Sequence, residues 1–340
     1  MDTRRDFIKK ASAAAALSFM VDWAMAMPES DKLGEVLPQR QLIRNGEKVT
    51  AFCLGGYHLG LTDVPEEAQQ MIERSLELGV RFFDNARGYN NGRSEEYMGR
   101  FLTPKYRDDI FLMTKAPAKT GDGVRKMLDE SLKALNTDYV DLWQIHALGS
   151  PEDVDSRINA GVLDVFLEAK EKGKARYIGF TGHQNPVTHL HFLDFLEKRG
   201  IELDTVQMPL NVCDPSFESF EKHVLPVLLE KEYGVIAMKT MAGGSMMGGR
   251  IDTTPDKVKD IPNVVAETEL SLANLHQYVY ALPVSSLCSG VLTIDQLEAN
   301  VAVLQNLKSL SEADKEKLVS IAKPYAGMVV ENYKRVFSNS

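Results

Sequence analysis

Cysteine is scarce in this chain of 340 residues: Cys53, Cys213 and Cys288 are the three, and no two form a C-x-x-C pair. That spacing argues against a zinc or iron–sulfur site built on cysteine. An odd number leaves at least one thiol unpaired in an exported protein. Cys53 and Cys288 lie in apolar, strand-like runs, where a thiol behaves as a small hydrophobe. Basic charge is also short. The 39 Lys+Arg against 48 Asp+Glu give a formal net charge of -9, whereas a protein that tracks nucleic-acid phosphates needs a basic face. No Pro/Gly/Ser-rich linker interrupts the middle of the chain, which favours one domain over two. No G-x-G-x-x-G follows the first strand-like run, which weakens a doubly wound dinucleotide-binding sheet.

What is present begins with an address. Thr3-Arg4-Arg5-Asp6-Phe7-Ile8-Lys9 reads as a twin-arginine signal, a mildly apolar stretch runs from Ala11 to Met20, and Ala24-Met25-Ala26 has the small residues of a cleavage site. The apolar stretch is too short to span a membrane stably, and no cysteine near the cleavage site offers a lipid anchor. Residues 1–26 are therefore expected to be a signal peptide and 27–340 the working domain. The expected partner is the twin-arginine export machinery, and the expected location is periplasmic or otherwise extracytoplasmic. That route carries folded proteins.

After a predicted hairpin at residues 40–49, in which Asn45-Gly46 suits a two-residue turn, the pattern alternates. Apolar runs of strand length occur at 51–54, 80–83, 110–114, 140–145, 177–181, 205–210, 234–238 and 286–291. Their lack of polar alternation suits strands buried on both faces. Amphipathic helical stretches at 66–78, 124–135, 162–172, 187–198 and 220–230 separate them. Gly79, Gly173, Gly200 and Gly234 follow helical stretches, where glycine reaches the left-handed conformation without a clash. Eight such units predict an α/β fold, a (β/α)8 TIM barrel with an N-terminal β-hairpin. Ser311-Glu312-Ala313-Asp314 then looks like the N-cap of an extra C-terminal helix packed outside it.

Three consecutive predicted strands end in ionisable groups: Asp84, Lys115 and His146. In a parallel barrel all C-terminal strand ends open on one face, and Tyr89 follows Asp84 closely enough to lean over it. Singly, each residue has an ordinary reading: a helix cap, a solvated lysine, a satisfied core histidine. Together they suit carbonyl reduction. Tyrosine is a weak acid, with an ordinary pKa near ~10. A lysine cation beside it favours the phenolate. An aspartate holds the lysine, and a neutral histidine donates a hydrogen bond to the carbonyl oxygen.

Asp84-Asn85-Ala86-Arg87-Gly88-Tyr89, Lys115 after a strand and Gln144-Ile145-His146 resemble the catalytic tetrad of the aldo-keto reductases in order and spacing. Arg93-Ser94-Glu95-Glu96-Tyr97-Met98-Gly99 is similar to that family's S-E-x-x-(hydrophobic)-G helix, and the likeness runs from about Gln41 to Gln305. The resemblance implies a (β/α)8 barrel, a nicotinamide cofactor (NADP, with NAD possible) and a small-molecule carbonyl or alcohol as substrate. It also implies cofactor residues. Gln207 matches the glutamine that bonds the nicotinamide carboxamide. Thr181-Gly182-His183 stands in place of the usual Ser-Asn, so that Thr181 keeps a hydroxyl and His183 replaces the amide. Met238 takes the place of a stacking aromatic ring. Gly243 and Gly244 match the pyrophosphate loop, with Lys239 adding charge. Thr293, Gln296 and Asn300 match the adenosine end, but the basic residues many members use for the 2′-phosphate are missing. Some members with similar loops carry a C-terminal cysteine cluster. This chain has none there, so no cluster and no metal are expected. Two other readings stay open: a non-catalytic nucleotide-binding or sensor barrel, and a metal-dependent barrel enzyme using His183, His189 and His191. Against the latter, His189 and His191 lie two residues apart on a helical stretch and so face different ways.

Overall fold

The computed structural model describes residues 29–44, 46–249 and 261–337. The twin-arginine segment and Asn45 lie outside them. Strands β1 (Glu29–Asp31) and β2 (Gly34–Val36) form a small antiparallel pair, and β3 (Gln39–Gln41) and β4 (Lys48–Thr50) form another. Eight parallel strands follow: β5 (Phe52–Gly55), β6 (Phe82–Asp84), β7 (Phe111–Ala116), β8 (Val140–Leu148), β9 (Ala175–Gly182), β10 (Thr205–Pro209), β11 (Gly234–Met238) and β12 (Ser286–Ser289). They close into a barrel by pairing β12 with β5. Each coincides with a predicted apolar run.

Two apolar cores account for that apolarity. One lies between the strands and the surrounding helices, with Trp143 stacked on Phe166 at a centroid distance of 3.8 Å. The other fills the barrel itself: Leu42, Ile43, Val49, Cys53, Phe82, Phe111, Met113, Leu142, Ile236 and Cys288. Leu42, Ile43 and Val49 come from the β3–β4 hairpin, which plugs the N-terminal end of the barrel. Arg40 fastens that plug, donating at 2.7 Å to the carbonyls of Tyr280 and Val284.

Three expectations shift. The hairpin turn spans 43–46, because the Gly46 N–H bonds the Ile43 carbonyl at 3.0 Å. Gly46 therefore closes the turn instead of lying at its centre. Gly79, Gly173 and Gly200 do take positive φ after their helices, but Gly234 opens a strand, and Glu232 takes the left-handed place with φ 58°. Glycine is needed at 234 because a Cβ there would meet the Leu42 carbonyl oxygen at 2.1 Å. The expected helix over 220–230 is two pieces, Phe220–His223 and Leu225–Glu230. Pro226, at the start of the second, supplies no N–H to continue the first. The β1–β2 pair was not expected. Its Asp31 forms an ion pair with buried Arg81 at 2.7 Å.

The extra C-terminal helix, Glu312–Ala322, starts with the reciprocal Ser311/Asp314 capping box. The chain then turns back. Arg335 N–H donates to the Gln184 carbonyl at 2.7 Å, and Asn185 Nδ2 donates to the Arg335 carbonyl at 2.9 Å. The tail is thereby tied to the loop after β9, and Lys334, which donates to Asp214 at 2.7 Å, ties it to the loop after β10, on the face where the strands end.

Candidate active site

The C-terminal ends of β6, β7 and β8 bring Asp84, Lys115 and His146 to one mouth. Lys115 is fully buried. Its Nζ donates to Asp84 Oδ1, to the Asn85 carbonyl at 2.8 Å and to the Tyr89 hydroxyl at 3.3 Å. Local features make this arrangement. Glu95, 0% exposed, accepts from Thr114 Oγ1 at 2.6 Å and pairs with Arg87 at 3.0 Å, clamping the helix Arg93–Phe101 against β7. At β8 the register with β9 breaks between Ile145 and Leu148, and Ala147 takes φ 57°. Bulges of this kind re-aim side chains. Arg157 secures this one by donating to the His146 carbonyl at 3.0 Å and the Ala147 carbonyl at 3.3 Å.

The electrostatics follow from burial and from Lys115. Burial works against the Lys115 ammonium, but Asp84 outweighs it and holds the lysine above its ordinary range. Burial raises the Tyr89 phenol, while Lys115 pulls it down. The net direction is upward, opposite to the sequence expectation, because desolvation of the phenolate is the larger effect. Burial first, then the Lys115 charge, pushes His146 well below the usual histidine value, so its ring is neutral. Burial and Lys239 do the same to His183.

The rim continues with partly exposed aromatic groups. Tyr89 meets Tyr57 edge-on at 5.3 Å and His146 edge-on at 5.7 Å, and His146 lies 6.5 Å from His183. Tyr57 and His58 were not picked out from the sequence. The signal was available: they follow β5 as His146 ends β8. Burial, with Lys239 second, lowers His58 to about 4. Gly290 permits this placement, since a Cβ there would lie 1.8 Å from His58 Nδ1.

Around the same mouth stand the residues expected for a dinucleotide. Gln207 is buried, and its Oε1 has no hydrogen-bond partner among the described residues, so an outside amide donor fits it. Thr181 Oγ1 lies 3.9 Å from Met238 Sδ. Gly182 is glycine for a steric reason: a Cβ would meet both the Leu148 carbonyl oxygen and the His189 ring at 2.7 Å. Lys239 follows β11 with φ 56°, its Nζ 6.0 Å from the Tyr333 ring of the C-terminal tail. Gly243 and Gly244 take φ 68° and 92°, with open space beside Gly243. Thr293 caps the helix Ile294–Gln305, accepting from the Gln296 N–H at 3.2 Å, while Gln296 Oε1 accepts from the Leu292 N–H. Asn300 is buried and donates to Ser289 Oγ at 3.2 Å. The three histidines of the metal reading separate: His189 is buried among Phe180 and Phe220, whereas His191 pairs with Asp155 at 2.7 Å on the outside.

Comparison with known proteins identifies the family. The model of the aldo/keto reductase family matches residues 51–323. L-galactose dehydrogenase of Arabidopsis thaliana is 28% identical, covering 83% of this chain and 92% of its own. L-glyceraldehyde 3-phosphate reductase of Escherichia coli (strain K12) is 26% identical, covering 80% and 90%. The 6-dehydroglucose reductase of Novosphingobium aromaticivorans is 30% identical, covering 68% and 77%. Among solved structures, an aldo-keto reductase from Bacillus halodurans in its holo form superposes with a TM-score of 0.70 at 22% identity, over 89% of this chain and 99% of that one.

Proposed function

The chain belongs to the aldo/keto reductase family, and we propose that it interconverts carbonyls and alcohols with a nicotinamide dinucleotide, using Tyr89 as the proton donor. The protein is an oxidoreductase that acts on carbonyl compounds. The role of Tyr89 rests on one observation, its hydroxyl 3.3 Å from an ammonium that Asp84 holds in place. A phenol kept protonated by burial has a proton to give at neutral pH. Once it has given that proton, Lys115 stabilises the phenolate. His146, held neutral, donates to the carbonyl oxygen and orients it. A bound nicotinamide supplies the hydride.

Gln207 would take the nicotinamide carboxamide, with Thr181, His183 and Met238 beside the ring. Gly243, Gly244 and Lys239 would take the phosphates, and Thr293, Gln296 and Asn300 the adenosine end. NADP is the proposed cofactor, with NAD as the other arm of the test. Relatives named for sugars and a triose phosphate support a polyhydroxylated carbonyl as the substrate class. Nucleotide oxidation by wild type and Tyr89→Phe, over a panel of sugar and aryl aldehydes, tests the reading. The variant is expected to bind nucleotide and lose turnover; retained turnover overturns the assignment. We also propose that residues 1–26 direct export by the twin-arginine route. Replacing Arg4 and Arg5 with lysine should leave folded, unprocessed protein in the cytoplasm, and normal export of that variant refutes it.

A further inference from the structure

Asp84 has two carboxylate oxygens, and the contact with Lys115 uses one. Oδ1 takes Lys115. Oδ2 takes a second donor, the thiol of Cys288, at 3.2 Å. Cys288 lies on β12, separated from β6 by β5 alone. Its register partner on β5 is Cys53. Both thiols are buried and free of disulfide. A line of contacts therefore runs from Cys288 through Asp84 and Lys115 to Tyr89.

The line has a geometric consequence. The terminal torsion of an aspartate is broad. A carboxylate held at one oxygen can swing about it, and one held at both cannot. A thiol is a weak donor, but a charged acceptor strengthens the bond. The site is also water-poor, since Asp84 is 3% exposed, so no solvent donor readily replaces the thiol.

We propose that Cys288 is a positioning residue for the reaction: its thiol donates to Asp84 Oδ2 and so sets where the Lys115 ammonium stands relative to the Tyr89 hydroxyl. The inference rests on the reading of Tyr89 as the proton donor. Without the thiol, more of the carboxylate charge faces Tyr89 and Lys115 is freer to drift. Both changes disfavour the phenolate. The pH above which carbonyl reduction declines should therefore move up.

The experiment compares wild type, Cys288→Ala, Cys288→Ser and Tyr89→Phe in the full chain, kept in a thiol reductant, with NADPH and an activated aromatic aldehyde. Thermal melts first establish that each variant is folded. Cys288→Ala should lose about three- to tenfold in kcat with KM changed less than about twofold, and its basic limb should rise by about half a pH unit. Cys288→Ser, which restores a stronger donor, should keep wild-type kcat, with its limb at or below the wild-type position. An alanine variant with unchanged kcat and pH profile overturns the proposal. So does a serine variant as impaired as alanine, which would point to packing alone. If the alanine variant does not fold, an upward shift in the serine variant is sufficient to overturn it. Tyr89→Phe separates the two ideas: an active phenylalanine variant refutes the proton-donor reading, whereas an inactive one beside an unaffected alanine variant refutes only the role of Cys288.

Discussion

Among the described residues two lysines, Lys115 and Lys334, are buried completely, and they do different work. Lys115 and Lys334 each make three contacts through Nζ. Lys115 meets one carboxylate, one carbonyl and the Tyr89 hydroxyl. Lys334 meets Asp214 at 2.7 Å, Glu331 at 2.8 Å and the Phe217 carbonyl at 2.7 Å. The tail centre is thus one cation between two carboxylates. Asp214 is further saturated by Ser219 Oγ and the Phe220 and Glu221 N–H groups. Burial pushes the Glu331 carboxyl up while Lys334 opposes it. That cluster is closed and ties the C-terminal tail to the barrel. At the mouth, the third contact of Lys115 is a group that itself can lose a proton, on a partly exposed ring. The difference between a clamp and a reactive centre is whether the last donor points at a titratable group that a ligand can reach.

Substituting each lysine breaks that comparison. Lys115→Met should reduce turnover by about 10²-fold or more, since the phenolate left at Tyr89 loses its cation, and any residual activity should decline at higher pH. A steady-state pH profile checks this; an unchanged profile would mean that Lys115 does not tune Tyr89. Lys334→Met should leave kcat near wild type at a temperature where it is folded, but cost about 3–5 kcal/mol of stability by stranding two buried carboxylates. Denaturant titration measures this, and a loss below about 1 kcal/mol would mean that the tail clamp is unimportant. The Lys334→Met and Asp214→Asn double-mutant cycle sharpens it: a coupling of about 0.5–3 kcal/mol is expected for groups in direct contact, and additive effects would deny the pair.

The smallest expected effect concerns pH. His189 and His276 are buried with no hydrogen-bond partner on either ring nitrogen among the described residues, and burial lowers them to about 3 and about 4. Their folded-state values lie below the unfolded one near ~6.5, so the unfolded chain binds protons first. Stability is full above that value and is lost as pH falls towards the folded values, by about 1.4 kcal/mol per pH unit for each histidine. Denaturation midpoints across mildly acidic pH test the sign. A midpoint that rises on acidification contradicts it, and substituting His276 with an apolar residue should flatten the slope.

Much of the barrel was legible because parallel strands buried on both faces must read as short apolar runs, and all eight did. Asp84, Lys115 and His146 were legible for the same reason: each ends such a run. Gly234 was misread because a glycine after a helix and a glycine admitting a neighbouring carbonyl look identical in one dimension. The clamp of Lys334, Glu331 and Asp214 left no readable signal, since its members are 120 residues apart for Lys334 and Asp214.

Strand periodicity and chain order determined the architecture and which residues end on one face, because those properties are local. Only tertiary structure decided that Tyr89 would be held protonated despite its lysine, since desolvation depends on everything packed around the ring. It also decided that His146 would be turned into the mouth by a bulge, and that Cys288 and Asp84, 204 residues apart, would meet. Charge and burial at a point are sums over neighbours, and closure of the barrel chooses the neighbours.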